Sequence, residues 1–87
     1  MFQVRWKQSA LDELAELWIQ ADSATRKIIT AATNQLDQEL AQDPQNVGES
    51  RSGFERICFL FPLGIRFEVD NQQAKVQVLQ VWSYRKK

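Results

Sequence analysis

The sequence predicts an α+β fold. It is a two-layer sandwich in which an N-terminal strand and an α-helical hairpin pack on a mainly antiparallel sheet, in the order β-α-α-β-β-β. Three observations predict it. The opening FQVRWK alternates apolar and polar residues. Two segments between Ser9 and Ala41 repeat their apolar residues at helical spacing and are joined by only a few residues. Three strand-like runs follow, and the stretches between them are too short for helical crossovers.

In the first run Phe2, Val4 and Trp6 share one face and Gln3, Arg5 and Lys7 the other, the period of a half-buried strand. Ser9, three residues before Asp12, matches a capping box and predicts a helix start there. Leu11, Leu14, Ala15 and Trp18 then form one apolar stripe. Asp22 or Ser23 caps a second helix to about Ala41, with Ile28, Ile29, Ala32, Leu36 and Leu40 as its buried side. The short joint predicts an antiparallel pair of helices.

QDPQNVGESRSG is a loop by composition, and its length singles it out, since long loops in small domains are often functional. Strands are expected from Phe54 to Phe61, over LGIRFEVD, and from Lys75 to Trp82. Ile57, Phe59, Ile65, Phe67 and Val69 are expected to face the helices. That phase turns Arg56 and Arg66 together onto the opposite, open face.

At 87 residues the chain forms one domain, 1–87, with no length for a second core. The single Cys58 has no disulfide partner, and within RICFLF a buried, inert thiol is expected. No signal peptide and no apolar run of membrane-spanning length is visible, so the expected location is cytoplasmic, without membrane contact. Charge is uneven. Residues 1–50 hold four Lys/Arg against eight Asp/Glu, and residues 51–87 hold seven against three. An acidic helical part and a basic strand part are implied, the second a candidate face for phosphates.

The chain lacks His and has one Cys, which excludes histidine-based triads and zinc sites built on His or several Cys. No Gly-rich phosphate loop or dinucleotide fingerprint occurs, and no metal or cofactor is expected. The remaining chemistry belongs to Arg, Lys, Tyr and carboxylates. Arg56 and Arg66 on neighbouring strands, Tyr84 and Arg85 beyond the last strand, and Glu49 and Arg51 in the loop make a plausible nucleic-acid platform. The plain alternatives are an Arg56–Glu68 cross-strand pair, a Tyr84 ring packed on the sheet rim, a buried Trp82, and a frayed cationic end of Arg85, Lys86 and Lys87.

VRWKQSALDELAELW, a second helix, DPQNVGESR, and then PLGIRFEVDNQQAKVQVLQVW resemble the RelE/ParE superfamily of toxins from bacterial toxin–antitoxin pairs. The likeness spans nearly the whole chain as a pattern of apolar positions and turns, including an aromatic-x-Val pair at Phe67 and Val69 before an acidic turn. It implies a small cytoplasmic toxin held inactive by a cognate antitoxin, meeting operator DNA only through that antitoxin. RelE-like members cut messenger RNA in the ribosome, using cations on the sheet and, in some, a C-terminal Tyr or His to drive 2′-hydroxyl attack on the neighbouring phosphate. ParE-like members inhibit DNA gyrase and cut nothing.

Ribosome-dependent RNA cleavage is the activity expected first. Arg56, Arg66, Tyr84 and Glu49 are its implied catalytic residues, and Arg51, Arg85, Lys86 and Lys87 its implied RNA contacts. Gyrase inhibition, or an inactive member that binds only its antitoxin, is the alternative. The sequence departs from the family pattern in three ways. Ser83 stands where some members have His, and Gly64 stands where the family arginine is usually placed. The sequence also ends at Lys87, short of the C-terminal helix that other members carry.

Overall fold

The computed structural model describes residues 1–84. Arg85, Lys86 and Lys87, expected as RNA contacts, lie outside the described residues. Strand β1 (Gln3–Trp6) leads to helices α1 (Gln8–Gln20) and α2 (Ser23–Gln42). Next come strands β2 (Glu49–Ser50), β3 (Glu55–Leu60), β4 (Leu63–Asp70) and β5 (Lys75–Ser83). The sheet order is β1-β5-β4-β3-β2. β1 runs parallel to β5 and the other pairings are antiparallel, so the expected α+β sandwich forms with one strand more than the sequence suggested. The additional strand, β2, comes from the predicted loop, after a 3-10 turn at Pro44–Asn46.

Helix α1 starts earlier than the capping box implied. Only Lys7 separates it from β1, and the Lys7 N–H donates to the Val78 carbonyl, so the chain enters the helix directly from the sheet. Ser9 lies inside the helix, and no side chain caps its start. Its buried side is Ala10, with Leu14 and Leu17 packed against the core. This stripe is rotated about one residue from the expected one, with Leu14 shared. Leu11 (42% exposed), Trp18 (42%) and Ile19 (64%) point outward.

Asp22 caps α2, accepting the Thr25 N–H at 2.7 Å. That hydrogen bond holds the exposed Asp22 carboxyl below its usual range. Ile29, Ala32, Leu36 and Leu40 are buried as expected, while Ile28 is 45% exposed. Arg26 ties the helices together. Its guanidinium donates to the Trp18 and Ile19 carbonyls at 2.9 and 3.1 Å and lies 4.3 Å from the centre of the Trp18 ring.

The core lies between the helices and one sheet face, where Leu63, Ile65, Phe67, Val76 and Val78 have no exposed surface. β5 continues past the end of β1, so the Val81 N–H has no strand beside it. Glu13 of α1 accepts that N–H at 3.0 Å. Glu13→Ala is therefore expected to cost about 1–3 kcal/mol by leaving the Val81 donor unmet. Glu13→Gln keeps an acceptor and should cost less. Urea unfolding checks this, and equal losses in both variants would contradict it.

Candidate functional site

Register decides which side chains reach the face without helices. Residues directly opposite in neighbouring strands project to the same side. Cys58 faces Ile65 and Arg56 faces Phe67, so Arg56 and Cys58 project to the core side of the sheet. Ile57 faces Arg66 and Phe59 faces Gly64, on the open side. The expected phase of β3 is thus off by one residue. Ile57 and Phe59 do not face the helices, and Arg56 and Arg66 do not share a face.

Arg56 is engaged elsewhere. Its guanidinium donates to the carbonyls of Val47 and Gly48, both at 2.9 Å, and fixes the segment leading into β2. Gly48 is required there. Its φ is +68°, and a Cβ would come within 2.1 Å of the Ile57 carbonyl oxygen. The Arg56–Glu68 pair does not form; the ion pair on this part of the sheet is Arg66 with Glu55, at 2.6 Å.

The open face is ordered in rows. Its central row runs Glu49, Ile57, Arg66, Gln80 across four strands. The Arg66 Nη1 bonds Glu55, and its Nε lies 3.4 Å from the Gln80 side-chain oxygen. Glu49 is two strands from Arg66, roughly 10 Å at ordinary strand spacing. Its carboxylate is 3.9 Å from the Arg51 guanidinium in an exposed pair. On one side of this row lies Glu55, Glu68, Gln77, and beyond it Asp70 opposite Lys75.

On the other side lies Phe59, Gly64, Trp82. Phe59 meets Trp82 edge to face at 6.0 Å and Tyr84 at 5.3 Å, and Phe61 meets Tyr84 at 5.8 Å. Trp82 is half-buried on the open face rather than in the core, with its indole over Gly64. A Cβ at Gly64 would lie 2.5–2.8 Å from ring atoms. The indole therefore fills the position at which the family arginine was expected. Tyr84 has the rim packing of the plain alternative: among the described residues its ring neighbours are Phe59 and Phe61, not guanidiniums.

Arg66, Glu49 and Tyr84 therefore share the open face without converging. Four positions along the chain, about 13 Å if extended, separate the Gln80 row from Tyr84, which lies just past the end of β5. Arg66 is paired with Glu55, Glu68 lies beside that pair, and Glu49 and Asp70 stand near Arg51 and Lys75. Among the described residues carboxylates thus match the cations of this face, and the expected basic face does not assemble. No three His, Cys, Asp or Glu side chains among them converge on a point that could hold a metal. Burial pushes the Cys58 thiol from 9.0 up to about 12, helped by the nearby Glu39 charge and opposed by Arg56. It is not a nucleophile at neutral pH.

Sequence reasoning missed the exposed rings of Phe59 and Phe54 and the roles of Glu55 and Glu68. The signal lay in the hairpin. Only Phe61 and Pro62 separate β3 from β4, so Leu60 must face Leu63, in phase with Ile65 and Phe67.

No protein-family model matches the chain, and no curated protein matches it. Solved structures do. The RelBE2 toxin–antitoxin complex of Mycobacterium tuberculosis superposes with a TM-score of 0.78 at 16% identity, covering 98% of this chain and 93% of that one. The chromosomal ParDE system of Pseudomonas aeruginosa gives 0.73 at 17%, covering 98% of both chains. The isolated RelE toxin of Escherichia coli gives 0.67 at 16%, covering 100% of this chain and 88% of that one. The chain has the RelE/ParE toxin fold.

Proposed function

We propose that the chain is the toxin of a type II toxin–antitoxin pair, acting in the cytoplasm. We further propose that it arrests growth by holding a protein target, DNA gyrase, rather than by cutting messenger RNA. One observation carries this choice: the guanidinium at the centre of the open face is neutralised by Glu55 at 2.6 Å, with a second carboxylate, Glu68, directly opposite Glu55. In-line cleavage of RNA needs surplus positive charge on the non-bridging oxygens, and attraction of RNA to the face needs it as well. A binding surface needs neither, and half-exposed aromatic rings are the usual anchors of a protein interface. The antitoxin would be the partner that silences the chain and carries it to operator DNA.

Cleavage is the second reading, favoured by the shared face of Arg66, Glu49 and Tyr84. Induction in bacterial cells separates the two. Growth, a DNA-damage reporter and primer extension on abundant messages are followed together. The expected result is arrest with a damage response and intact messages. Cuts clustered in translated codons would replace this reading with the second. Normal growth with abundant folded protein would end both.

A further inference from the structure

The open face carries one carboxylate, Glu68, with no ion pair or hydrogen bond among the described residues, next to an apolar ridge. Glu55 and Glu68 stand directly opposite each other on β3 and β4. Like charges in that arrangement oppose folding. Arg66 serves Glu55, while Glu68 has no ion pair among the described residues and has Gln77 on its other side. Glu68 and Asp70 line a cleft of about 610 Å³ with Phe54, Asn71, Gln77 and one cation, Lys75, which stands opposite Asp70. Asp70 also accepts the Gln73 N–H at 3.1 Å, so Glu68 is the carboxylate left for an incoming cation. Phe54 at its edge is 75% exposed, so an aromatic face stands beside the carboxylates. That combination suits an incoming guanidinium or ammonium, which a ring face and a carboxylate both attract.

The second part of the surface is the ring cluster of Phe59, Phe61, Trp82 and Tyr84, in which Phe59 is 56% exposed. The two parts lie on one line along β4, under Trp82 at Gly64 and beside the cleft at Glu68. These positions are four residues, about 13 Å, apart. An extended peptide covers the same distance in four residues.

We infer that the open face docks an extended segment of the protein target. In that segment a basic side chain enters the Phe54–Glu68–Asp70 cleft, and an aromatic or aliphatic side chain about four positions away packs on Phe59 and Trp82. This deepens the proposed function and rests on its premise that the open face meets the target. Charge complementarity at the cleft chooses a basic peptide over nucleic acid, because Glu68 and Asp70 outnumber Lys75 there and would repel a phosphate.

The test uses the full chain, made by cell-free synthesis, and fluorescein-labelled ten-residue peptides read by anisotropy. One pair carries Arg and Phe four positions apart, in either order. Controls replace Arg by Glu, or place the two residues adjacent. A ten-nucleotide single-stranded RNA is run alongside. One of the spaced peptides should bind about tenfold more tightly than every control and than the RNA. Glu68→Gln, which is isosteric, should abolish the preference for Arg over Glu, and Trp82→Phe should weaken the spaced peptide less than Trp82→Ala. Tighter binding of the RNA, equal binding of the Glu peptide, an unaffected Glu68→Gln variant, or no peptide binding would each overturn the inference. Growth arrest with intact messages tests the proposed function separately and stands or falls without these peptides.

Discussion

Phe67→Ala is expected to remove about 3–5 kcal/mol of folding free energy, a large part of what a small domain has. Phe67 has no exposed surface. It sits between Arg56 of β3 and Val78 of β5, at the point where a bulge shifts the β4–β5 register. Truncation there removes the ring's transfer free energy and leaves a void that flanking strands on both sides can fill only partly. Ile28→Ala is the matched control. The periodicity of α2 assigned Ile28 to the core, but it is 45% exposed, and its loss should change stability by no more than about 0.5 kcal/mol. Chemical denaturation of the two variants checks both numbers. Comparable losses would mean that α2 packs through a different side.

That contrast shows where the sequence was legible. β4 alternates cleanly, because Ile65, Phe67 and Val69 are apolar and Arg66 and Glu68 are not, and the structure places them accordingly. β3 does not alternate, since Ile57, Cys58, Phe59 and Leu60 are apolar on both faces. Composition alone therefore left its phase open, and only the two-residue turn into β4 fixes it. The error had functional weight. It placed Arg56 on the open face as a catalytic candidate, while its guanidinium holds the Val47 and Gly48 carbonyls.

The helices taught a related lesson. α1 has apolar residues over most of its circumference, so two stripes compete, and packing on β5 selects the one through Ala10, Leu14 and Leu17. The rejected stripe leaves Leu11, Trp18 and Ile19 exposed. The carboxylate that completes β5 could not have been foreseen either. Glu13 and Val81 are 68 positions apart, and only the fold brings them within hydrogen-bonding distance.

Gly64→Ala is the second large effect expected, and it tests how the open face is built. The added Cβ would meet the Trp82 indole at 2.5–2.8 Å, so the ring must swing away and lose its edge contact with Phe59. Overpacking of this kind costs about 1–3 kcal/mol. Trp82→Ala removes the obstacle, so Gly64→Ala made in that background should cost close to nothing. A double-mutant cycle would then return most of the single-variant loss as coupling energy. If Gly64→Ala costs the same with and without the indole, the glycine is needed for some other reason and Trp82 is not locked over it. With the lock in place, a guanidinium at position 64 and an indole at position 82 exclude each other. A chain that keeps Gly64 beneath Trp82 presents an aromatic ring there rather than a cation, and the proposed binding role uses that ring. Gly64→Ala should accordingly weaken growth arrest by more than its stability loss explains, measured as the inducer level needed at matched amounts of folded protein.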